Sequence, residues 1–133
     1  MNACKAAAAI AVLILAAGCA SRPPVLTGRW SVTHVGGKAQ PSGVKAQLEF
    51  TGDGRLAGNV GCNGVMGTYT QEGKTLKFGA LGTTRRMCES PVMDQEAKLL
   101  LALERANIAA VYDDTLDLRD PLNEPLVRAV RVP

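Results

Sequence analysis

Hydrophobic and polar residues alternate along most of the chain after residue 28, which is typical of antiparallel strands with one buried face. Leu48 and Phe50, for example, alternate with Gln47 and Glu49. Glycine-containing turns separate these segments, and Thr51-Gly52-Asp53-Gly54 is a strong hairpin signal because Asp-Gly readily adopts positive φ. The pattern predicts eight strands, at residues 30–35, 46–50, 55–60, 67–71, 75–78, 108–112, 116–119 and 126–132.

One segment lacks this period of two and predicts a helix. Ser90-Pro91 reads as a helix start, with Ser90 as the N-cap and proline in the first turn. Residues 92–106 then consist largely of strong helix formers. On a helical wheel, one half is mostly apolar and is predicted to face the core. Its members are Met93, Ala97, Leu100, Leu101 and Leu103.

Glu96 falls within the same half of the helix, which is unusual for a carboxylate. We expect it either near the rim of the core or paired with a buried donor such as an arginine. An antiparallel sheet of eight strands usually curls or closes, and the helix has an apolar face to bury. The pattern therefore predicts a mainly β (α+β) fold, a small open antiparallel β-barrel that the helix plugs or flanks.

The N-terminus carries the pattern of a bacterial lipoprotein signal peptide. Lys5 is followed by the uncharged apolar run Ala6–Ala17, and Gly18-Cys19 ends it. We interpret residues 1–18 as the signal peptide and residues 19–27 as the lipidated Cys19 and a tether, leaving one domain over residues 28–133. The alternative is an ordinary signal peptide cut after Gly18 or Ala20. Because Ala20 rather than aspartate follows Cys19, the sorting rule for lipoproteins predicts an outer-membrane anchor facing the periplasm.

Charge and aromatic content argue against a nucleic-acid partner. The net charge is +3, and the longest basic run is Arg85-Arg86. The chain has one Trp, two Tyr and two Phe, so it lacks the basic stripe with stacking rings that nucleic-acid binding favours.

Two cysteines, Cys62 and Cys88, belong to the predicted domain. In an oxidising envelope compartment their default state is a disulfide, although two buried free thiols or a reactive pair are alternatives. The chain has no C-x-x-C redox pair, and two cysteines with one distant histidine do not supply four zinc ligands. We therefore expect neither a cofactor nor a metal.

The sequence does not suggest an enzyme. His34 is the only histidine, it lies in the first predicted strand, and no G-x-S-x-G elbow accompanies it. Asp113, Asp114 and Asp117 surround a predicted turn, where carboxylates are expected to be solvated.

Several short motifs, taken in order, resemble the META domain family of HslJ-like bacterial lipoproteins. They are Gly28-Arg29-Trp30, Gly61-Cys62-Asn63, Gly67-Thr68-Tyr69, Thr84-Arg85 with Cys88, and a helix that carries Glu96. The resemblance implies a cracked β-barrel with a helix against it. It also implies a link to envelope stress and antibiotic tolerance, without an established reaction.

The residues that carry the resemblance are the candidate site: Trp30, Asn63, Tyr69, Thr84, Arg85 and Glu96. They look architectural first and a binding surface second, and Thr84 and Arg85 are expected to contact the Asn63 loop or Glu96. The expected function is a lipid-anchored envelope binding module that acts through a protein partner. The alternatives are a carrier of a small hydrophobic ligand inside the barrel and an inhibitor of an extracellular hydrolase such as a lysozyme. For the inhibitor, the candidate loop is at residues 79–90.

Overall fold

A computed structural model describes residues 22–133, and within them the chain forms ten strands and one helix. The predicted signal peptide and Cys19 lie outside the described residues. The elements are β1 (Gly28–Val35), β2 (Lys38–Ala39), β3 (Gln47–Phe50), β4 (Arg55–Asn59), β5 (Gly64–Glu72), β6 (Thr75–Phe78), β7 (Gly82–Thr83), α1 (Ser90–Arg105), β8 (Ile108–Tyr112), β9 (Thr115–Arg119) and β10 (Pro125–Arg131).

Eight of the strands close into an antiparallel barrel, which confirms the predicted fold class. The order is β10-β9-β8-β6-β5-β4-β3-β1, and β10 pairs with β1 to complete the circle. The seam between β6 and β8 has a single register pair, Thr75 with Ile108, so the barrel is cracked there. The two-residue strands were not predicted from the sequence. β2 pairs with β1, and β7 pairs with β5 beyond the end of β6.

The antiparallel strands give the barrel two distinct ends. The hairpin turns β3–β4, β5–β6 and β8–β9 lie at one end, which we call the turn end. The β4–β5 connection at 60–63, the β7–α1 connection at 84–89 and the β9–β10 turn lie at the other, which we call the loop end. β5 has nine residues and runs between the two ends, and the eight steps from its first to its last residue extend about 27 Å at roughly 3.4 Å per step.

The helix is rotated relative to the prediction from its hydrophobic wheel. Its buried residues are Gln95, Glu96, Leu99, Ala102 and Leu103, whereas Leu101 is 55% exposed. Of the predicted core-facing set, Leu103 is fully buried and Met93 and Leu100 are half-buried, so the prediction was wrong for Ala97 and Leu101, which are exposed. Glu96 is buried on the half that the wheel predicted, but the inner face extends past it to Leu99 and Gln95, and Gln95 is held inside by a hydrogen bond to Gln40.

The helix start is also displaced by one residue. Glu89 is the N-cap, no side chain caps the helix, and Ser90 is the first helical residue rather than the predicted cap. Among the described residues, α1 is the only helix, and it is neither long nor apolar enough to cross a bilayer.

Candidate functional site

A disulfide fixes the loop end of the barrel. Cys62, in the β4–β5 connection, is bonded to Cys88, just before α1, with an S–S distance of 1.97 Å and a Cα–Cα distance of 5.9 Å. This confirms the disulfide predicted from the sequence. The bond ties two segments that lie 26 residues apart to each other.

Glu96 lies directly behind this disulfide and is 5% exposed. Its Oε1 accepts hydrogen bonds from the backbone N–H groups of Cys62 (3.2 Å) and Asn63 (2.6 Å), and its Oε2 accepts one from Asn63 Nδ2 (2.8 Å). The expectation of a buried donor is met by main-chain and amide N–H groups, and no arginine is paired with it among residues 22–133. These three donors make burial of the carboxylate possible.

Asn63 connects Glu96 to the β7–α1 connection. Its Oδ1 accepts from the Arg86 N–H (2.5 Å) and the Thr84 hydroxyl (3.0 Å), while its Nδ2 also donates to the Arg86 carbonyl (3.1 Å). With its bond to Glu96, every donor and acceptor position of this buried amide is used. The Thr84 hydroxyl in turn accepts from the Gly64 N–H (3.0 Å).

The segment that Asn63 holds is residues 84–89, a candidate for binding, which we call the binding loop. The main-chain N–H and C=O of Arg86 are both hydrogen-bonded to the Asn63 side chain, and the disulfide fixes the loop covalently at Cys88. Arg85, Arg86 and Met87 nevertheless point their side chains into solvent, and Met87 is 87% exposed. The loop is thus rigid in its backbone and open in its side chains.

The predicted contact of Thr84 with the Asn63 loop is present, but the one proposed for Arg85 is not. Within residues 22–133 the Arg85 side chain makes neither a hydrogen bond nor an ion pair, and its neighbour Arg86 contributes through its main chain instead. Sequence reasoning did not select Met87. The signal that could have identified it is its position: a large apolar residue directly after two arginines, outside any predicted strand or helix.

Trp30 and Tyr69 lie in the barrel wall and act as structural residues. Trp30 is fully buried, and the Arg131 guanidinium stacks 4.2 Å from its ring centroid. The Tyr69 hydroxyl donates to the Thr51 carbonyl (2.6 Å), and its ring meets Phe50 edge-on. Burial raises the pKa of the Tyr69 phenol, with a smaller contribution from the negative charge of Asp53.

The expectation that Asp117 is solvated was wrong. Its side chain is 5% exposed, and it pairs with Arg128 of the neighbouring strand β10 (Nε–Oδ1 2.8 Å) and with Arg119 of its own strand β9 (Nη2–Oδ2 3.4 Å). The hydrogen bonds and charge of Arg128, reinforced by Arg119, lower the pKa of Asp117 despite its burial. His34 shares a hydrogen bond with the Thr33 hydroxyl (2.9 Å). Residues 22–133 contain no cluster of three or more His, Cys, Asp or Glu side chains arranged to hold a metal ion.

The family model for the META domain matches residues 24–132. The chain belongs to the META domain family. This match covers the barrel, the helix and the binding loop, and it confirms the resemblance seen in the sequence motifs. No curated protein matches this META domain chain.

Three solved structures share the fold of this META domain. A protein from Burkholderia xenovorans, solved by NMR, is 26% identical with a TM-score of 0.67, over 80% of this chain and 83% of that one. A second NMR structure is 18% identical with a TM-score of 0.62, over 80% and 91% of the two chains. A DUF4847 family protein from Bacteroides vulgatus is 14% identical with a TM-score of 0.61, over 79% and 92%. The last two similarities concern the fold alone.

Proposed function

We propose that this META domain protein is a non-catalytic binding module of the bacterial envelope. It is anchored at the outer membrane by acyl chains on Cys19, and it docks a protein partner on the binding loop. The role in envelope stress or antibiotic tolerance that the family resemblance implies is then exerted through that partner. The observation that carries the proposal is the combination of a fixed loop backbone with three solvent-facing side chains.

The fixed backbone favours binding because little conformational freedom remains to be lost. Asn63 and the Cys62–Cys88 bond hold the binding loop in one conformation before any partner arrives. Pre-organisation of this kind raises affinity by reducing the entropy lost on association. Arginine and methionine are also enriched in the buried centres of protein interfaces.

The charges on the loop indicate the chemistry of the partner. Arg85 and Arg86 are adjacent, exposed and without a carboxylate within ion-pair distance among residues 22–133. A protein surface with carboxylates around an apolar pocket for Met87 would complement them. An extracellular hydrolase with such a surface is one partner of this class, which is how the inhibitor alternative fits the same loop.

The barrel interior supports a surface site rather than a carrier. Leu99 and Leu103 of α1 enter the same core as the leucines of the strands and are fully buried there. An eight-stranded barrel is just wide enough to be filled by its own side chains, and here the helix adds to that filling. A lipid tail or drug would have to displace these residues.

Site-specific photo-crosslinking in the native envelope tests the proposal. A benzophenone side chain is placed at Met87, and a matched control is placed at Leu122, which is similarly exposed in the β9–β10 turn. We expect one discrete protein adduct from position 87 that disappears when Arg85→Glu and Arg86→Glu are added, with the melting temperature unchanged. Equal adducts from 87 and 122, or an adduct that survives the charge reversal, would contradict docking on the binding loop.

A further inference from the structure

The segment that precedes β1 is bound to the barrel although the sequence assigns it to a tether. Four consecutive main-chain carbonyls, from residue 24 to residue 27, each accept a hydrogen bond from a barrel side chain. The donors and acceptors are Gln71 Nε2 to Pro24 (2.6 Å), Arg131 Nη2 to Val25 (3.3 Å), Trp30 Nε1 to Leu26 (2.8 Å) and Arg131 Nη1 to Thr27 (3.0 Å).

Burial of Leu26 reinforces this attachment. Its side chain is 1% exposed and belongs to the hydrophobic core, so the segment is held by packing as well as by its carbonyls. The segment that is bound to the barrel therefore begins no later than Pro24, five residues after Cys19. Five residue steps reach at most about 18 Å when fully extended. A barrel on so short a connection cannot turn freely above a membrane.

The attachment point lies at the turn end. Gln71 precedes the β5–β6 turn. Arg22 and Pro24 line a groove of about 190 Å³ with Lys74, in the β5–β6 turn, and Tyr112, the last residue of β8. The binding loop lies at the opposite end of β5, beside Gly64. The point where the connection leaves the barrel and the proposed docking site are thus separated by most of that strand, about 24 Å over the seven steps from Gly64 to Gln71 at roughly 3.4 Å per residue.

We infer that the turn end rests on the phospholipid surface that holds the acyl chains of Cys19, and that the binding loop faces away from this surface into the periplasm. This inference rests on the lipid anchor of the proposed function. The short connection favours this orientation, because it joins the barrel beside Tyr112 and Lys74.

The exposed side chains at the turn end fit a bilayer surface. Tyr112 is 61% exposed, Val25 of the docked segment is also exposed, and tyrosine favours the headgroup region. Arg22 and Lys74 can reach lipid phosphates from the same groove. Asp113 and Asp114 lie in the adjoining turn, and their negative charges offset the basic residues. Contact with the bilayer therefore depends on the short connection and on the amphipathic side chain of Tyr112 rather than on net positive charge.

Photo-crosslinking to lipid tests this orientation on the full lipoprotein, made with its own leader and reconstituted in vesicles of phosphatidylethanolamine and phosphatidylglycerol. A benzophenone side chain at position 112 is compared with one at position 87, and mass spectrometry detects both phospholipid adducts and the acyl chains on Cys19. We expect phospholipid adducts from 112 and none above background from 87.

Lengthening the connection is the matched control. A flexible Gly-Ser insertion of about 20 residues between Arg22 and Pro23 adds a mean reach of roughly 25 Å. We expect it to abolish the adduct from 112 while Cys19 remains acylated.

Three results would overturn the inference, and one also tests the anchor itself. Equal adducts from 87 and 112 on an acylated protein, or a 112 adduct that the insertion does not reduce, overturn the orientation alone. A protein without acyl chains on Cys19 overturns the anchor of the proposed function, and the orientation with it.

Discussion

Asn63 and Glu96 are joined by two hydrogen bonds, from the Asn63 main-chain N–H to Oε1 (2.6 Å) and from Asn63 Nδ2 to Oε2 (2.8 Å). The pair is buried, and it links the β4–β5 connection to the inner face of α1. Since the same amide also holds Arg86, one asparagine sets both the rotation of the helix and the path of the binding loop.

Replacing Glu96 with glutamine should destabilise the protein although the shape is nearly unchanged. Only one oxygen remains, so the new NH₂ group must face either a main-chain N–H or Asn63 Nδ2. Asn63 cannot turn over to compensate, because its Oδ1 already accepts from Arg86 and Thr84. We expect Glu96→Gln to lower the free energy of unfolding by about 1–3 kcal/mol, measured by urea denaturation.

Glu104→Gln is the control for this change, since Glu104 is an exposed glutamate on the same helix. It should alter the unfolding free energy by less than about 0.5 kcal/mol. Equal effects of the two substitutions would show that the bonds to Glu96 do not stabilise the loop end.

The disulfide should make the stability of the protein sensitive to reductant. Removing the Cys62–Cys88 bond frees a loop of 26 residues in the unfolded chain, which corresponds to about 3–4 kcal/mol in the chain-entropy model. We expect Cys62→Ser with Cys88→Ser to lower the melting temperature and to abolish its dependence on reductant. A wild-type protein that melts identically with and without reductant would contradict this prediction.

The sequence predicted the barrel well because period-two alternation reports directly on which side chains face inward. Its errors have physical causes. β5 begins at Gly64 rather than at Gly67, because glycines carry no hydrophobic signal. The helix rotation was wrong because hydrophobicity does not place Gln95 inside, whereas this side chain is buried and donates a hydrogen bond to Gln40.

The candidate site was predictable only in part. Asn63, Thr84 and Glu96 were identified from their motif, and the structure brings all three together. The role of Arg86 was not predictable, because it acts through its main-chain N–H and C=O groups, which every non-proline residue possesses. The four carbonyls that bind residues 24–27 to the barrel are invisible to sequence patterns for the same reason.

Asp117 should make the protein less stable in acid. Pairing with Arg128 lowers the pKa of Asp117 in the folded state below the value of about 3.9 in an unfolded chain. The stabilisation is therefore fully present above that value and is lost as the pH falls through the lower, folded-state pKa. We expect the difference in unfolding free energy between wild type and Asp117→Asn to be constant near neutral pH and to shrink below about pH 4.

Urea denaturation at a series of pH values from neutral into acid measures this difference. Asp94→Asn, at an exposed position on α1, is the control and should follow the wild-type curve throughout. A gap between wild type and Asp117→Asn that stays constant down to the most acidic pH would show that the ion pair is not the source of the acid sensitivity.

Gly58 should tolerate no side chain, because the main chain of the paired strand β3 lies against its α-carbon. A Cβ atom at Gly58 would lie 2.1 Å from the Gln47 carbonyl oxygen, and that oxygen belongs to the neighbouring main chain and cannot rotate away. Gly58→Ala should therefore separate β3 from β4 and lower the free energy of unfolding by about 3 kcal/mol or more, at the upper end of overpacking effects. Gly52→Ala is the matched control, since a Cβ there meets nothing within 4 Å, and it should leave the thermal melting curve unchanged. Similar melting temperatures for the two variants would mean that the strands can separate at this point without loss of stability.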